Sequence, residues 1–169
     1  MTSRIELFEG QFFRLNDLPQ EPKPVQKPHP PLWFGAHHPN ALQRAVEQGN
    51  GFMGAGSLST AKFADEVKVL RGLLSGAGRN PAAFPIAKRV YIAVDRDKAR
   101  AGKRLTKWFG AFYGRPQMAK EVSVWGSAAE CADGLAKVAA AGAGMVMLNP
   151  VFDDMEHIEI FASEIAPKL

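Results

Sequence analysis

The chain has 169 residues, is 46% hydrophobic and 22% charged with a net charge of +4, and is long enough to bury a core as one domain without disulfides or metals. One cysteine, Cys131, excludes an internal disulfide, and no run of 18 apolar residues exists to form a membrane span. The first six residues lack the apolar stretch of a signal peptide, so a reducing, cytoplasmic setting is expected.

Seven of the twelve prolines lie between Pro19 and Pro39. Residues 22–31 lose backbone donors at alternate positions, which predicts an extended, proline-rich lead-in over residues 1–31. Ahead of that run, Glu9-Gly10 followed by residues 11–15 predicts a short turn and one strand. The remaining domain, residues 32–169, has a strand-helix rhythm. Residues 32–36 are a short apolar run, and Asn40 is placed to cap a helix carrying Ala41, Leu42, Ala45 and Val46 that Gly49 stops. Residues 51–56 repeat the strand and glycine turn. Ser59 or Thr60 then caps a helix with Phe63, Val67, Leu70 and Leu74 on one side, closed by Gly76 and Gly78.

A β-branched strand follows at 86–94, with Ile86, Val90, Ile92 and Val94 alternating with Ala87, Arg89, Tyr91 and Ala93. Helices are predicted at about 97–113 and 127–141. The first sets Arg100, Lys103, Arg104 and Lys107 on one stripe and Leu105, Trp108, Phe109 and Phe112 on another. It sits in a basic stretch, since residues 79–120 hold eleven Lys or Arg against two acids. A solvated face opposite a core face accounts for the stripe, and neither aromatic interleaving nor zinc-finger spacing points to nucleic acid. An anionic ligand or an acidic partner surface stays open. The second helix begins with a capping box, Ser127-x-x-Glu130. Residues 145–148 form a fourth strand, ended by Asn149-Pro150. Asp153-x-x-Glu156 is placed to cap a last helix with Ile158, Phe161, Ala162 and Ile165 inward, in a segment of five acids and one Lys from residue 145 onward.

Four strand-helix units imply an α/β fold of parallel strands, by counting about half of a (β/α)8 TIM barrel. Ligands of such folds sit at the carboxyl ends of strands. Those ends carry Gly35, Ala36, His37 and His38, then Gly54, Ala55, Gly56 and Ser57, then Asp95 and Asn149. Two successive glycine turns, each before a helix start, either cradle a phosphate or simply turn the chain. His37 is placed to face an anion. Adjacent histidines are a poor metal pair, and no metal site is expected. His29 and His157 are read as surface residues and Cys131 as a small buried filler. No paired carboxylates, nucleophile elbow or Cys-His arrangement stands out, so no catalytic residue is named.

Taken together, Gly10-x-Phe12-Phe13-x-Leu15, the run Pro22-Lys23-Pro24-Val25-Gln26-Lys27-Pro28-His29-Pro30-Pro31-Leu32-Trp33-Phe34-Gly35-Ala36, Ala41-Leu42-x-Arg44-Ala45 and Gly49-Asn50-Gly51-Phe52 resemble the luciferase-like monooxygenase family. Lys88-Arg89-Val90-Tyr91-Ile92 and residues 148–153 fit one branch of it. The resemblance implies an oxidoreductase built on an eight-stranded barrel that uses FMN or a deazaflavin coenzyme on a small organic substrate. It implies that strands five to eight are residues 32–36, 51–55, 86–94 and 145–148, with strands one to four outside this chain. It further implies that Gly35, Ala36, Gly54, Ala55, Gly56 and, from their place beside these, His37 and Ser57 hold the cofactor phosphate, and that the acid-base residues belong largely to the missing half. Three readings follow. The chain is the C-terminal part of such an enzyme, expected to be inactive alone; a non-catalytic half-barrel that self-associates or complements an N-terminal half; or a basic binding module. In either half-barrel the side chains from Ala87 to Ala93 need a cover, so a free monomer is not expected.

Overall fold

The computed structural model describes residues 4–19 and 21–169. They fall into two compact units, Met1–Leu32 and Trp33–Leu169. In the first, β1 (Arg4–Glu9) and β2 (Arg14–Pro19) pair antiparallel, with Phe8 opposite Leu15 and Glu9 opposite Arg14. A hairpin thus replaces the single expected strand. Its turn, closed by Gly10 N–H donating to Phe13 O at 2.9 Å, carries apolar residues that disguise it as strand. The expected polyproline-like extension is interrupted by bends at residues 22, 25–28 and 30.

The second unit is built on five parallel strands rather than four: β3 (Trp33–Phe34), β4 (Gly51–Gly54), β5 (Ile86–Val94), β6 (Ser123–Gly126) and β7 (Met145–Pro150). Residues 87 and 88 pair with both β4 and β7, and residues 91 and 92 pair with both β6 and β7. A strand has only two edges, so β7 holds one edge of β5 while β4 and β6 follow one another along the other. The unforeseen β6 is four residues long and runs straight into the capping box of the next helix, leaving no room for a recognisable alternation.

The connections are α1 (Pro39–Gln48), α2 (Thr60–Gly76), α3 (Lys98–Tyr113), the short α4 (Met118–Val122) and α5 (Ala128–Ala140), with α6 (Asp154–Ile160) closing the chain. Ser59, Asp97 and Ser127 cap their helices through side-chain oxygens. Two expected caps differ. His38, not Asn40, caps α1, its ring accepting from Asn40 N–H at 3.2 Å. Asp153 precedes α6 with φ 52° and makes no side-chain cap, because its carboxylate is taken by Arg104. After Ile160 the helix widens into a π turn (Phe161–Ile165), which changes the phase of the inward positions. Ile165 is buried as expected and Phe161 partly so, but Ile158 and Ala162 face solvent and His157 is buried in their stead.

Alternation along β5 divides the core in two. Ile86, Val90 and Ile92 join the layer made with α1, α2 and α5, where Phe52, Phe63, Leu70, Leu74 and Leu135 are fully covered. Tyr91 and Ala93 point the other way, into a cluster with Leu105 and Phe109 of α3 and Met118 of α4. The cover expected for the face that would line a barrel is therefore supplied, at its carboxyl end, by this chain's own helices. What stays open lies on β3 and β7, where Trp33, Met145 and Met147 are 38%, 57% and 50% exposed. Phe112, expected inward, is exposed and stacks on Trp108 at 4.9 Å.

Candidate functional site

The turns after β3 and β4 lie side by side because those strands pair in register, Phe34 opposite Phe52. A Cβ on Gly35 would sit 3.5 Å from Met53 O, an ordinary contact. Ala36 packs against the main core, and His37 is half-exposed, with its Nδ1 2.7 Å from Glu66 Oε1 of α2. This hydrogen bond ties the first turn to the helix that follows the second.

In the second turn, Gly54 and Gly56 are buried and Ser57 is exposed. A Cβ on Gly54 would lie 2.6 Å from the Phe63 ring, so this glycine is required by helix-strand packing alone. Gly56 differs in what it faces: a Cβ there would come within 2.7 Å of Arg89 Nε and 2.8 Å of the Tyr91 ring. Arg89 donates from Nη2 to Tyr91 Oη at 2.8 Å, yet its Nε is buried without a partner. The bare backbone of Gly56 thus lies beside an unsatisfied cationic donor. Tyr91 Oη also meets Tyr113 Oη at 2.5 Å, and burial, reinforced by that hydrogen bond, pushes the Tyr91 hydroxyl up to about 12.

The loop is held from beneath by Lys88, which is 1% exposed and donates to Ala55 O at 3.0 Å and Leu58 O at 2.8 Å. Burial lowers its ammonium to about 8, against the opposing pull of the Glu66 carboxylate. Glu66 Oε2 is itself buried without a hydrogen-bond partner. His37, Glu66 and Lys88 therefore form one polar strut under both turns. The sequence offered a signal for Lys88, a charged residue on the apolar stripe Ile86, Val90, Ile92, and it was missed there, as was Arg89.

Asp95 lies at the end of β5, in a 570 Å³ pocket with Arg100, Arg104, Asp153 and His157. Arg100 donates to both Asp95 oxygens at 2.7 and 2.8 Å and holds that carboxyl below its ordinary range, while Arg104 does the same for Asp153. His157, read as a surface residue, accepts from Val94 N–H through Nε2 at 2.9 Å, and its Nδ1 lies 2.9 Å from Asp153 O. Asp95 and Asp153 are thus spent on Arg100 and Arg104, while Arg96, Glu156, Glu164 and Lys168 also line the pocket. Asn149 Nδ2 is spent on Pro150 O. His29, likewise read as surface, is partly buried, its Nδ1 2.8 Å from Pro30 O. Cys131 is fully buried and its thiol pushed up to about 12 by that burial, as suits a filler. Among the described residues, no cluster of three His, Cys, Asp or Glu is placed to hold a metal, and no helix is long and apolar enough to cross a membrane.

Three solved structures share this fold. An F420-dependent secondary alcohol dehydrogenase in complex with an F420-acetone adduct superposes with a TM-score of 0.81 at 19% identity, over 99% of this chain and 56% of that one. The coenzyme F420 dependent tetrahydromethanopterin reductase from Methanopyrus kandleri gives 0.74 at 18% identity, over 95% and 57%. Riboflavin lyase RcaE, with modified FMN and riboflavin, gives 0.64 at 16%, over 97% and 47%. At these identities the likeness concerns the fold. The chain spans about half the length of these structures. An uncharacterized protein of Sinorhizobium fredii, y4wF, is 25% identical over 108 residues, which are 62% of this chain and 32% of that protein. The sequence profile of the luciferase-like monooxygenases matches residues 1–145, most of the chain, and with the parallel strand-helix architecture this establishes that the chain belongs to the luciferase-like monooxygenase family.

Proposed function

We propose that this chain is the C-terminal part of a flavin- or deazaflavin-dependent oxidoreductase and carries the side of the site that receives the cofactor phosphate. The receiving groups are the backbone of Gly35, Ala36, Gly54, Ala55 and Gly56, with His37 and Ser57 at the rim and Arg89 behind Gly56. One observation carries this reading: the bare backbone of Gly56, where a Cβ would collide with the guanidinium, lies against a buried Arg89 Nε that has no hydrogen-bond partner. A phosphate oxygen supplies the acceptor that this donor lacks, and charge-assisted hydrogen bonds of this kind are the strong ones. FMN and deazaflavin coenzymes share that phosphate, so the cradle suits both. When bound, such a cofactor supplies hydride transfer with a small organic substrate, or oxygenation with O2. This chain's residues bind and orient it: Lys88 fixes the Ala55 and Leu58 carbonyls, and Glu66 holds the His37 ring.

The exposed Trp33, Met145 and Met147 favour a partner on the open sheet face, either a second copy or a separate N-terminal half-barrel, and are equally compatible with a non-catalytic half-barrel. The buried, protonated Cys131 suits the cytoplasm. Fluorescence titration of FMN against wild type, Gly56→Ala and Gly72→Ala tests the cradle, since a Cβ at Gly72 meets nothing within 4 Å. We expect roughly tenfold or greater weakening for Gly56→Ala, the loss of about 1.4 kcal/mol or more, and none for Gly72→Ala. Equal affinities in the two variants would remove the assignment.

A further inference from the structure

Packed between α3, α4 and β6 is a groove of about 850 Å³ with an apolar floor of Gly102, Leu105, Ala119 and Trp125. Gly102 lies inside α3, where glycine is a poorer helix former than alanine. A Cβ there would come 3.3 Å from the Trp125 indole nitrogen, so this glycine keeps the floor open. Lys103, Lys107 and Lys120 stand exposed around the rim with no carboxylate partner among the described residues, while Lys98 at one end is held by Glu130 at 2.7 Å. Unpaired cations around an apolar floor call for an apolar surface edged with acids.

The same chain presents such a surface at its other end. On α6 and the π turn, Asp154, Met155, Ile158, Glu159 and Ala162 are all exposed and share one helical stripe. Met155 and Ile158 are 73% and 53% exposed, and neither Asp154 nor Glu159 has an ion-pair partner among the described residues. The charge asymmetry of the sequence, basic over 79–120 and acidic from 145, thus resolves into two complementary amphipathic surfaces. We infer that the Lys-rimmed groove receives the α6 stripe of a second copy, a heterologous head-to-tail contact in which Met155 and Ile158 enter the groove and Asp154 and Glu159 meet Lys103, Lys107 and Lys120. This contact is separate from the open face of β3 and β7 and does not depend on the cofactor assignment.

Heterologous pairing permits a charge-swap test by sedimentation velocity on the whole chain. Wild type should show concentration-dependent association that weakens between 50 and roughly 500 mM salt, as screening of exposed charges requires. Lys103→Glu/Lys107→Glu and Asp154→Lys/Glu159→Lys should each lose that salt-sensitive association. Mixing the two variants should restore it, because each then offers the surface the other needs. Ile158→Lys, at a half-exposed position on α6, should lose it without perturbing the groove and stands in if a double variant fails to fold. Salt-sensitive association that persists in the variants, fails to return on mixing, or is absent from wild type overturns the inference. So does loss of association to a small anionic amphiphile such as dodecanoate without any effect of the α6 changes, which would make the groove a ligand site.

Discussion

Lys88 shows how one side chain couples a strand to a functional loop. Its ammonium is buried on the apolar side of β5, and its only good acceptors are the Ala55 and Leu58 carbonyls. Because burial brings its pKa down to about 8 from an unfolded value near 10.4, the unfolded chain binds more protons between those pH values. Stability contributed by this group therefore increases as pH rises from about 8 to 10. Measured as the difference between wild type and Lys88→Met by urea unfolding at successive pH values, that increase should appear; a flat difference would mean the ammonium is not desolvated. His157 makes a second prediction at this scale. Its ring spends one nitrogen on Val94 N–H and the other on Asp153 O, so His157→Leu leaves a buried backbone donor unpaired. The expected cost is about 1–3 kcal/mol, read as a lower denaturation midpoint, with no change at the distant glycine turns.

Among the elements, α5 is the most self-contained: its capping box is complete, with Ser127 Oγ accepting from Glu130 N–H at 3.3 Å and Glu130 Oε2 accepting from Ser127 N–H at 2.9 Å. Ser127→Ala should cost about 1 kcal/mol by thermal unfolding, and an unchanged midpoint would show that packing alone starts the helix. That box was legible in the sequence, as were α2, α3 and the bounds of β5, because long apolar stripes and caps are local signals. The hairpin and β6 were not, since a turn made of Gln11, Phe12 and Phe13 and a strand of four residues carry no pattern of their own. His157 was misread for another reason: the π turn after α6 shifts which residues face inward, and no periodicity of 3.6 anticipates it. The glycine turns of the site could be read in advance. The strut of His37, Glu66 and Lys88 and the guanidinium behind Gly56 could not, because they join residues far apart in sequence through β5 and α2.

At the scale of the whole molecule, the chain spans about half the length of the solved structures it superposes on, and its sheet is partly covered by its own helices. The helices α3 and α4 cover Tyr91 and Ala93, leaving the open apolar surface on β3 and β7. Covering the half of each side chain that is still exposed is worth roughly 1 kcal/mol apiece, which favours a partner there. The proposed site comprises a phosphate cradle with no named acid or base, so the purified chain alone should show no steady turnover with reduced flavin and a substrate panel. Turnover by a monomeric fraction would show that a complete catalytic set is present. Recognition of a phosphate by the glycine turns and Arg89 is the core of the proposed function. It is tested most directly by comparing FMN with riboflavin in the same fluorescence titration, since the two differ only in that group. FMN should bind at least tenfold more tightly than riboflavin, with the preference abolished by Arg89→Leu; equal affinity for FMN and riboflavin in wild type would overturn the assignment.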